Sequence, residues 1–392
     1  MLHLSIHKAI DQIPAADWNR LADPDAPFLR HEFLAAQERH GCVGPTLGWI
    51  PHHLALRDDA GCLVAAAPCY LKSNSYGEFV FDWAWADAYA RAGKRYYPKL
   101  VVASPYTPAT GRRILTGDSP RRPEYAAALI RGACEVAREL GVSSLHWLFT
   151  SEDETAWAEE QGLMRRLGCQ FHWHNAGYES FEALLGAFSA PKRKNVKRER
   201  RRVAEAGIGL RLVRGHEVTQ GEWALFHRLY CDTFDKRGGI PTLTLPFFQE
   251  IGRTMGEQVL LVLAYRGPEV VAAALDLVGT RSLYGRHWGC FTDFDSLHFE
   301  ACYYQGLEFC IAHGLERFEP GAQGEHKISR GFLPTPTWSA HWIADPGFRK
   351  GIAHFLDLER EGMADYLAQM QARSPYRQEA APLSDATGRA TT

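Results

Sequence analysis

The sequence predicts an α/β (α+β) protein built from two tandem units with a basic helical segment between them. Three observations carry this expectation. The chain has 392 residues, whereas single cores stop growing at about 250–300 residues, so two domains are expected. The two halves share local patterns in the same order, the mark of an internal duplication. Between them, Pro191 to Arg202 holds eight lysines and arginines against the single Glu199, a net +7 in a chain of net −2, which leaves −9 elsewhere. One basic element on an acidic body points to an anionic partner.

The elements follow in order. Pro27-Phe-Leu-Arg-His-Glu-Phe-Leu opens a helix, as Pro241-Thr-Leu-Thr-Leu-Pro-Phe-Phe does in the second half. Leu54 to Ala67 is expected to form strand, glycine-containing turn and strand, and Leu261 to Ala274 to do the same. Tyr125–Leu140 and Phe299–His313 place apolar residues at three- and four-residue spacing, and Gly141 and Gly314 can take the left-handed conformation that ends a helix. Short strands follow, Ser144-Leu-His-Trp-Leu-Phe and Arg317-Phe-Glu-Pro. The expected units are residues 1–170 and 171–370. The second is entered through the strand Phe171 to Tyr178, an amphipathic stretch Ser180–Phe188 and a basic helix over about 189–206, ended by Gly207. From 371 to 392 a Ser/Pro/Ala/Thr-rich composition predicts a disordered tail.

Composition narrows the class. With 46% apolar and 23% charged residues the chain matches ordinary globular proteins and departs from disordered ones. No run approaches the 18 or so apolar residues needed to span a bilayer, and the first residues lack a basic patch followed by an apolar stretch, so no membrane insertion is expected. The nine cysteines are scattered, odd in number and never spaced C-x-x-C. A reducing cytoplasm fits this better than a disulfide framework or a zinc ribbon. His172-x-His174 and the pair His52-His53 are the close histidine clusters, without cysteine or carboxylate ligands beside them, so no metal is expected. A P-loop is absent, and so is a G-x-S-x-G nucleophile elbow.

Several segments together resemble the FemAB-like branch of the GNAT acyltransferase superfamily. They are Pro105-Tyr-Thr-Pro-Ala-Thr-Gly, Gln170-Phe-His-Trp-His-Asn-Ala-Gly-Tyr, Pro191-Lys-Arg-Lys-Asn-Val-Lys-Arg-Glu-Arg, Phe234-Asp-Lys-Arg-Gly-Gly, Gly285-Arg-His-Trp-Gly and Glu319-Pro-Gly-Ala-Gln-Gly-Glu-His-Lys-Ile-Ser-Arg-Gly-Phe. More narrowly, the chain resembles predicted N-acyltransferases described as peptidoglycan biosynthesis or recognition proteins. The resemblance implies two GNAT-like domains and transfer of an acyl or aminoacyl group to an amine, with acyl-CoA or aminoacyl-tRNA as donor. The acceptor it implies is a small-molecule or peptide amine, such as a peptidoglycan-type precursor. In such enzymes a late Phe-Lys-x-x-Phe-Gly stretch supplies a lysine near the donor, and Lys327 in His326-Lys-Ile-Ser-Arg-Gly-Phe takes that position, with His326 replacing the first phenylalanine. The Q/R-x-x-G-x-G/A loop of ordinary acetyl-CoA enzymes is missing, since Arg286-His-Trp-Gly-Cys-Phe ends in Phe291. That weakens acetyl-CoA as the donor.

Amide formation needs a neutral amine, donors aimed at the developing oxyanion and a proton route to the leaving group. His287 and Glu319 end strands expected to part around the donor, and either could accept the amine proton. Gly321 and Gly324 would let backbone N–H groups approach an oxyanion. His326, Lys327 and Arg330 form a cationic group for a phosphate or carboxylate. Arg286 and Trp288 flank His287, and Tyr106 is a candidate for substrate recognition. Lys194 and Arg198 on the basic helix suit the phosphates of tRNA, CoA or a nucleotide-linked precursor, and Lys236-Arg237 starts a loop able to close over substrate. A second reading, of a different class, is a non-catalytic module that binds RNA or a cell-wall precursor through the basic helix.

Overall fold

The structure, a computed structural model, describes residues 1–322 and 324–377. Its strands are β1 (His3–His7), β2 (Trp49–Pro51), β3 (His53–Arg57), β4 (Leu63–Ala67), β5 (Cys69–Lys72), β6 (Lys99–Val102), β7 (Ser144–Thr150), β8 (Met164–His174), β9 (Ile208–Arg214), β10 (Val259–Arg266), β11 (Glu269–Val278), β12 (Ser282–Cys290), β13 (Arg317–Glu319) and β14 (Leu333–Ile343). The helices are α1 (Ala15–Leu21), α2 (His31–Arg39), α3 (Trp83–Arg91), α4 (Arg122–Glu139), α5 (Glu152–Glu160), α6 (Phe181–Ala187), α7 (Ala190–Glu205), α8 (Gln220–Lys236), α9 (Leu245–Thr254), α10 (Leu297–Phe299), α11 (Gln305–Ala312) and α12 (Pro346–Gln371), with a π-helical turn, Glu300–Tyr304, joining α10 to α11.

Eleven strands form one sheet, in the order β2-β5-β6-β7-β14-β8-β13-β12-β11-β10-β9, and β1-β3-β4 form a second. The architecture is mixed α/β, and each half is organised about one parallel pair. In the first, β6 lies parallel to β7 with α4 in the crossover; in the second, β12 lies parallel to β13 with α10 and α11 in the crossover. Parallel neighbours cannot be joined by a tight turn, so a helix bridges each pair. Both bridging helices end as expected on left-handed glycines, Gly141 at φ 62° and Gly314 at φ 64°. The two hairpins also form, β3 with β4 and β10 with β11. They differ in placement: β10 and β11 belong to the large sheet, whereas β3 and β4 belong to the small one. Pro68, with no N–H to give a ladder, separates β4 from β5, and the chain changes sheet there.

The segments opened by Pro27 and Pro241 give α2 and α9, and they meet. Phe33 packs edge-on against Phe247 at 5.5 Å, and Glu250 of α9 pairs with Arg39 and His40. The largest apolar cluster runs through this contact, from Ile10, Trp18 and Phe28 to Phe226, Phe248 and Tyr284.

Two expectations about boundaries need correction. A division at residue 170 falls inside β8, which is hydrogen-bonded to β14 on one side and β13 on the other. β14, from the expected second unit, pairs with β7 of the first, so the sheet is continuous across the expected boundary. The expected tail from 371 is also packed as far as 377. Tyr376 buries its ring edge-on to Phe188 at 5.0 Å and donates its hydroxyl to the Gly331 carbonyl at 2.9 Å. Burial of that aromatic area offsets the entropy that the composition alone predicted would win. Residues 378–392 lie outside the described residues. No helix among the described residues is long and apolar enough to cross a membrane.

Candidate active site

β12 and β13 run side by side for three residue pairs, ending at Tyr284 opposite Glu319. There β13 stops, while β12 continues along β11 through Gly285 to Cys290. A β-bulge at this point sets Leu275 opposite His287 and Asp276 opposite Gly285, leaving Arg286 as the extra residue. Bulges re-aim side chains, and here the candidates divide between the two faces of the sheet.

One face is covered by α10, the π-turn and α11. Gly285 has no side chain on that face, and a Cβ there would come within 3.1 Å of Pro320 Cα, so the loop after β13 passes directly over it. Gly321 and Gly324 take φ of 99° and 114°, conformations that side chains rarely adopt. Gln323 lies outside the described residues. The loop leads into a 3-10 helix, Glu325–Arg330, which holds Lys327 inside. Lys327 is 2% exposed and donates to the Gly321 carbonyl at 2.6 Å, the one hydrogen bond of its amine among the described residues. Burial brings its ammonium down to about 8, opposed by the neighbouring Cys302 thiol. His326 stays on the surface, with Nε2 2.8 Å from the Tyr303 hydroxyl. Trp288 lies 5.5 Å from the ring of His298, which is itself 6.2 Å from His326. Burial first, then the charges of His326, Lys327, Arg330 and Arg237, hold His298 down to about 4. Trp288, His326, Lys327, Arg330 and Arg237 thus gather around one histidine.

Arg330 is not a free anion receptor. Its Nη2 donates to Glu199 Oε1 at 2.6 Å, its Nε to Glu199 Oε2 at 3.2 Å and its Nη1 to the His326 carbonyl at 2.7 Å, and it stacks on Phe299 at 3.3 Å. Glu199, the acid inside the basic run, is its partner, and the pair fixes α7 to the 3-10 helix. Lys236, expected in a mobile loop, is the last residue of α8 and donates to the Cys290 carbonyl at 3.1 Å; Arg237 follows it, exposed.

The other face is closed by the first half of the chain. Glu319 Oε2 accepts from the Thr110 N–H at 3.0 Å, Oε1 is 3.3 Å from Arg317 Nε, and His172 Nε2 is 3.8 Å from Oε2. Burial raises its carboxyl, opposed by Arg317 and Thr110. His287 sits edge-on to Tyr230 at 5.0 Å, and burial, then Arg286, hold it well below its ordinary value. Arg286 donates to the Tyr106 carbonyl, and Tyr106 has φ 57° and its ring 5.6 Å from Trp49. The cavity that His287, Arg286 and Tyr106 line, with Gln37 and Phe248, measures about 10 Å³, room for one water. The expectation of a single cleft for His287, Glu319 and Lys327 is therefore corrected: the sheet stands between the first two and the third. The bulge and the docking of the first half decide this, and neither follows from local pattern.

The residues that escape every motif are Asp276, His298 and Cys302. Asp276 had one signal, a lone acid between Leu275 and Leu277 in an otherwise apolar strand. It is 2% exposed, and Oδ2 has no hydrogen-bond partner. Cys302 lies in the π-turn, and Asp276 and Lys327 both act on its thiol.

The basic helix is two-sided. Lys197, Arg200, Arg201 and Arg202 pair with Glu182, Glu300 and Glu308, Glu205, and Asp295. Lys192, Arg193, Lys194 and Arg198 have no carboxylate partner among the described residues, so the free charge lies between Lys192 and Arg198 of α7. Lys192 lines a surface hollow of about 430 Å³ with Glu325, His326, Ile328, Ser329 and Arg373, beside the Lys327 loop. No cluster of His, Cys, Asp or Glu able to hold a metal occurs among the described residues.

Comparison with solved structures gives the same fold at low identity. FemX superposes with a TM-score of 0.54 at 12% identity, over 90% of this chain and 100% of that one. The C-terminal domain of a lysylphosphatidylglycerol synthetase from Agrobacterium fabrum gives 0.53 at 12%, over 88% and 96%. A conserved protein of unknown function from Bacteroides thetaiotaomicron gives 0.51 at 9%, over 88% and 100%. No curated protein matches the chain in sequence. The FemAB-like profile, described as peptidoglycan biosynthesis/recognition, matches residues 9–378, and the chain belongs to that family.

Proposed function

We propose that this protein transfers an acyl or aminoacyl group from an activated donor, acyl-CoA or aminoacyl-tRNA, to a primary amine, with a peptide or peptidoglycan-type precursor as acceptor. The observation that carries it is Lys327, a buried lysine with one hydrogen bond, beside the point where β12 leaves β13, in a chain of the FemAB-like family. The amine nitrogen attacks the donor carbonyl, the oxygen becomes an oxyanion, and the bond to the thiol of CoA or the ribose hydroxyl of tRNA breaks. An ammonium brought down to about 8 suits both needs: it stabilises the oxyanion and gives a proton to the departing group near neutral pH. The N–H groups of Gly321 and Gly324 are donors to the same oxyanion. Trp288, His298 and Arg237 border the compartment, and the free cations of α7 take the donor's phosphates. Both donors are cytoplasmic, and the proposed reaction is too.

The test is direct. The purified chain is incubated with panels of acyl-CoA and aminoacyl-tRNA donors and amine acceptors, and new amides are sought by mass spectrometry. Product that disappears in Lys327→Met supports the reading; a Lys327→Met protein as active as wild type overturns it.

A further inference from the structure

Asp276 has no structural employment. Buried carboxylates in folded proteins are paired or hydrogen-bonded, because a bare charge in an apolar interior is costly. Asp276 is 2% exposed in an eleven-stranded sheet, and its buried Oδ2 has no hydrogen-bond partner among the described residues. Burial alone holds its carboxyl well above the ordinary range. A leucine in its place would continue the apolar face of Ala274 and Val278 without this cost.

Its surroundings are those of a compartment. Across the ladder stands Gly285, whose missing side chain leaves the adjacent position to the Pro320–Gly321 backbone, and Lys327 holds the Gly321 carbonyl. Above them the crossover helix widens into the π-turn Glu300–Tyr304. Such turns are rare and are frequently found at functional sites. The titratable groups facing Asp276 from the packed elements are the Cys302 thiol of the π-turn and the Cys310 thiol of α11, and Lys327 of the 3-10 helix acts on the same Cys302 thiol. Among the described residues no arginine or lysine pairs with it, so the fold itself supplies no counter-charge.

We propose that Asp276 binds the ammonium of the acceptor amine and removes its first proton. This rests on the transferase reading above. The carboxylate takes H⁺ from R–NH₃⁺, giving R–NH₂ and a neutral carboxylic acid. The free nitrogen lone pair then forms the C–N bond while the donor's C–S or C–O bond breaks. The second nitrogen proton leaves with the departing thiolate or alkoxide through Lys327. The site is thus specific for primary amines small enough, at the nitrogen end, to pass between β12 and the π-turn.

The experiment needs no turnover. Thermal midpoints of the full chain are measured with methylammonium chloride and, at equal ionic strength, tetramethylammonium chloride, which cannot donate a hydrogen bond. Methylammonium is expected to raise the wild-type midpoint by at least about 2 °C at saturation, more at pH 8 than at pH 6 because protons compete for the carboxylate. Tetramethylammonium is expected to give no such rise, and Asp276→Asn to lose the methylammonium effect while melting no lower than wild type. Equal effects of the two cations on wild type overturn the proposal without any variant. So does an Asp276→Asn protein that melts well below wild type or fails to fold, since the carboxyl is then structural. If methylammonium stabilises wild type alone but no donor panel yields product, the amine site stands and the transferase reading falls. With a donor pair in hand, Asp276→Asn is expected to lower kcat by about 100-fold.

Discussion

Both halves of the molecule bury a lysine at a parallel strand pair, and they treat it in opposite ways. Lys99, at the start of β6, is 0% exposed and donates to Glu78 Oε2 at 2.8 Å, to Ser75 Oγ at 2.9 Å and to Asp82. Burial alone would lower its ammonium, but Glu78 and Asp82 outweigh this and hold it above its ordinary value. Lys327, beside the end of β13, has one carbonyl and no acid as partner among the described residues, and it is brought down to about 8. Asp276, the acid of the same compartment, has no partner for its Oδ2 among the described residues. A buried charge enclosed by counter-charges is part of the scaffold. One left open is held at a cost, and such groups cluster at functional sites.

The largest effect should come from breaking the closed cluster. Lys99→Met leaves Glu78 and Asp82 buried without their cation and is expected to cost about 3–5 kcal/mol of stability in a denaturant titration. A loss below about 1 kcal/mol would mean that the two lysines are not different in kind. The second test reverses the first. Lys327→Met is expected to cost no more than about 1 kcal/mol, the worth of one hydrogen bond, while transfer falls by about 100-fold in kcat.

The pH dependence sharpens the contrast. Burial lowers Lys327 to about 8 in the folded chain, against roughly 10.4 when unfolded. Between those values the unfolded chain holds a proton that the folded chain lacks, so stability rises with pH, by at most about 1.4 kcal/mol per unit. Lys327→Met should flatten that rise between about pH 8 and pH 10. Lys99, whose value moves the other way, contributes no such rise. A stability profile that is unchanged in Lys327→Met would show that the lysine is fully charged when folded.

The smallest effect concerns α7, where the same division appears on a surface. Replacing Lys192, Arg193, Lys194 and Arg198 with glutamine should weaken binding of a tRNA probe and lower the slope of log affinity against log salt by up to about 3. Replacing Arg200 and Arg202, which already hold Glu300, Glu308 and Asp295, should change that slope by less than 1 on the same scale. Equal losses from the two sets would dissolve the distinction between free and paired cations.

Much of this was legible because it is local. The hairpins of Leu54 to Ala67 and Leu261 to Ala274, the helices ended by Gly141 and Gly314, and the basic helix ended by Gly207 each follow from short-range periodicity and a left-handed glycine. Lys327, His326 and the positive-φ glycines of the late loop were visible as a motif, and they do sit together. What pattern could not reach was side-chain direction. His287 lies one residue from Trp288 and beyond a bulge, and the bulge turns it toward Tyr230 and away from Lys327. A one-residue insertion reverses every side chain after it, and nothing in Tyr284-Gly-Arg-His-Trp marks it.

The sequence by itself determined the mixed α/β class, the ordered repeat and the concentration of positive charge, because each depends on residues within about one element of one another. Only the tertiary structure decided that β14 returns to lie between β7 and β8, that Arg330 is taken by Glu199, and that Asp276 is left alone opposite Gly285. Those outcomes join residues 131 positions apart in one case and strands as distant as Thr150 and Trp338 in another. Whether a buried charge finds its counter-charge is settled by which distant strand or helix arrives beside it, and a chain read in order carries no record of that.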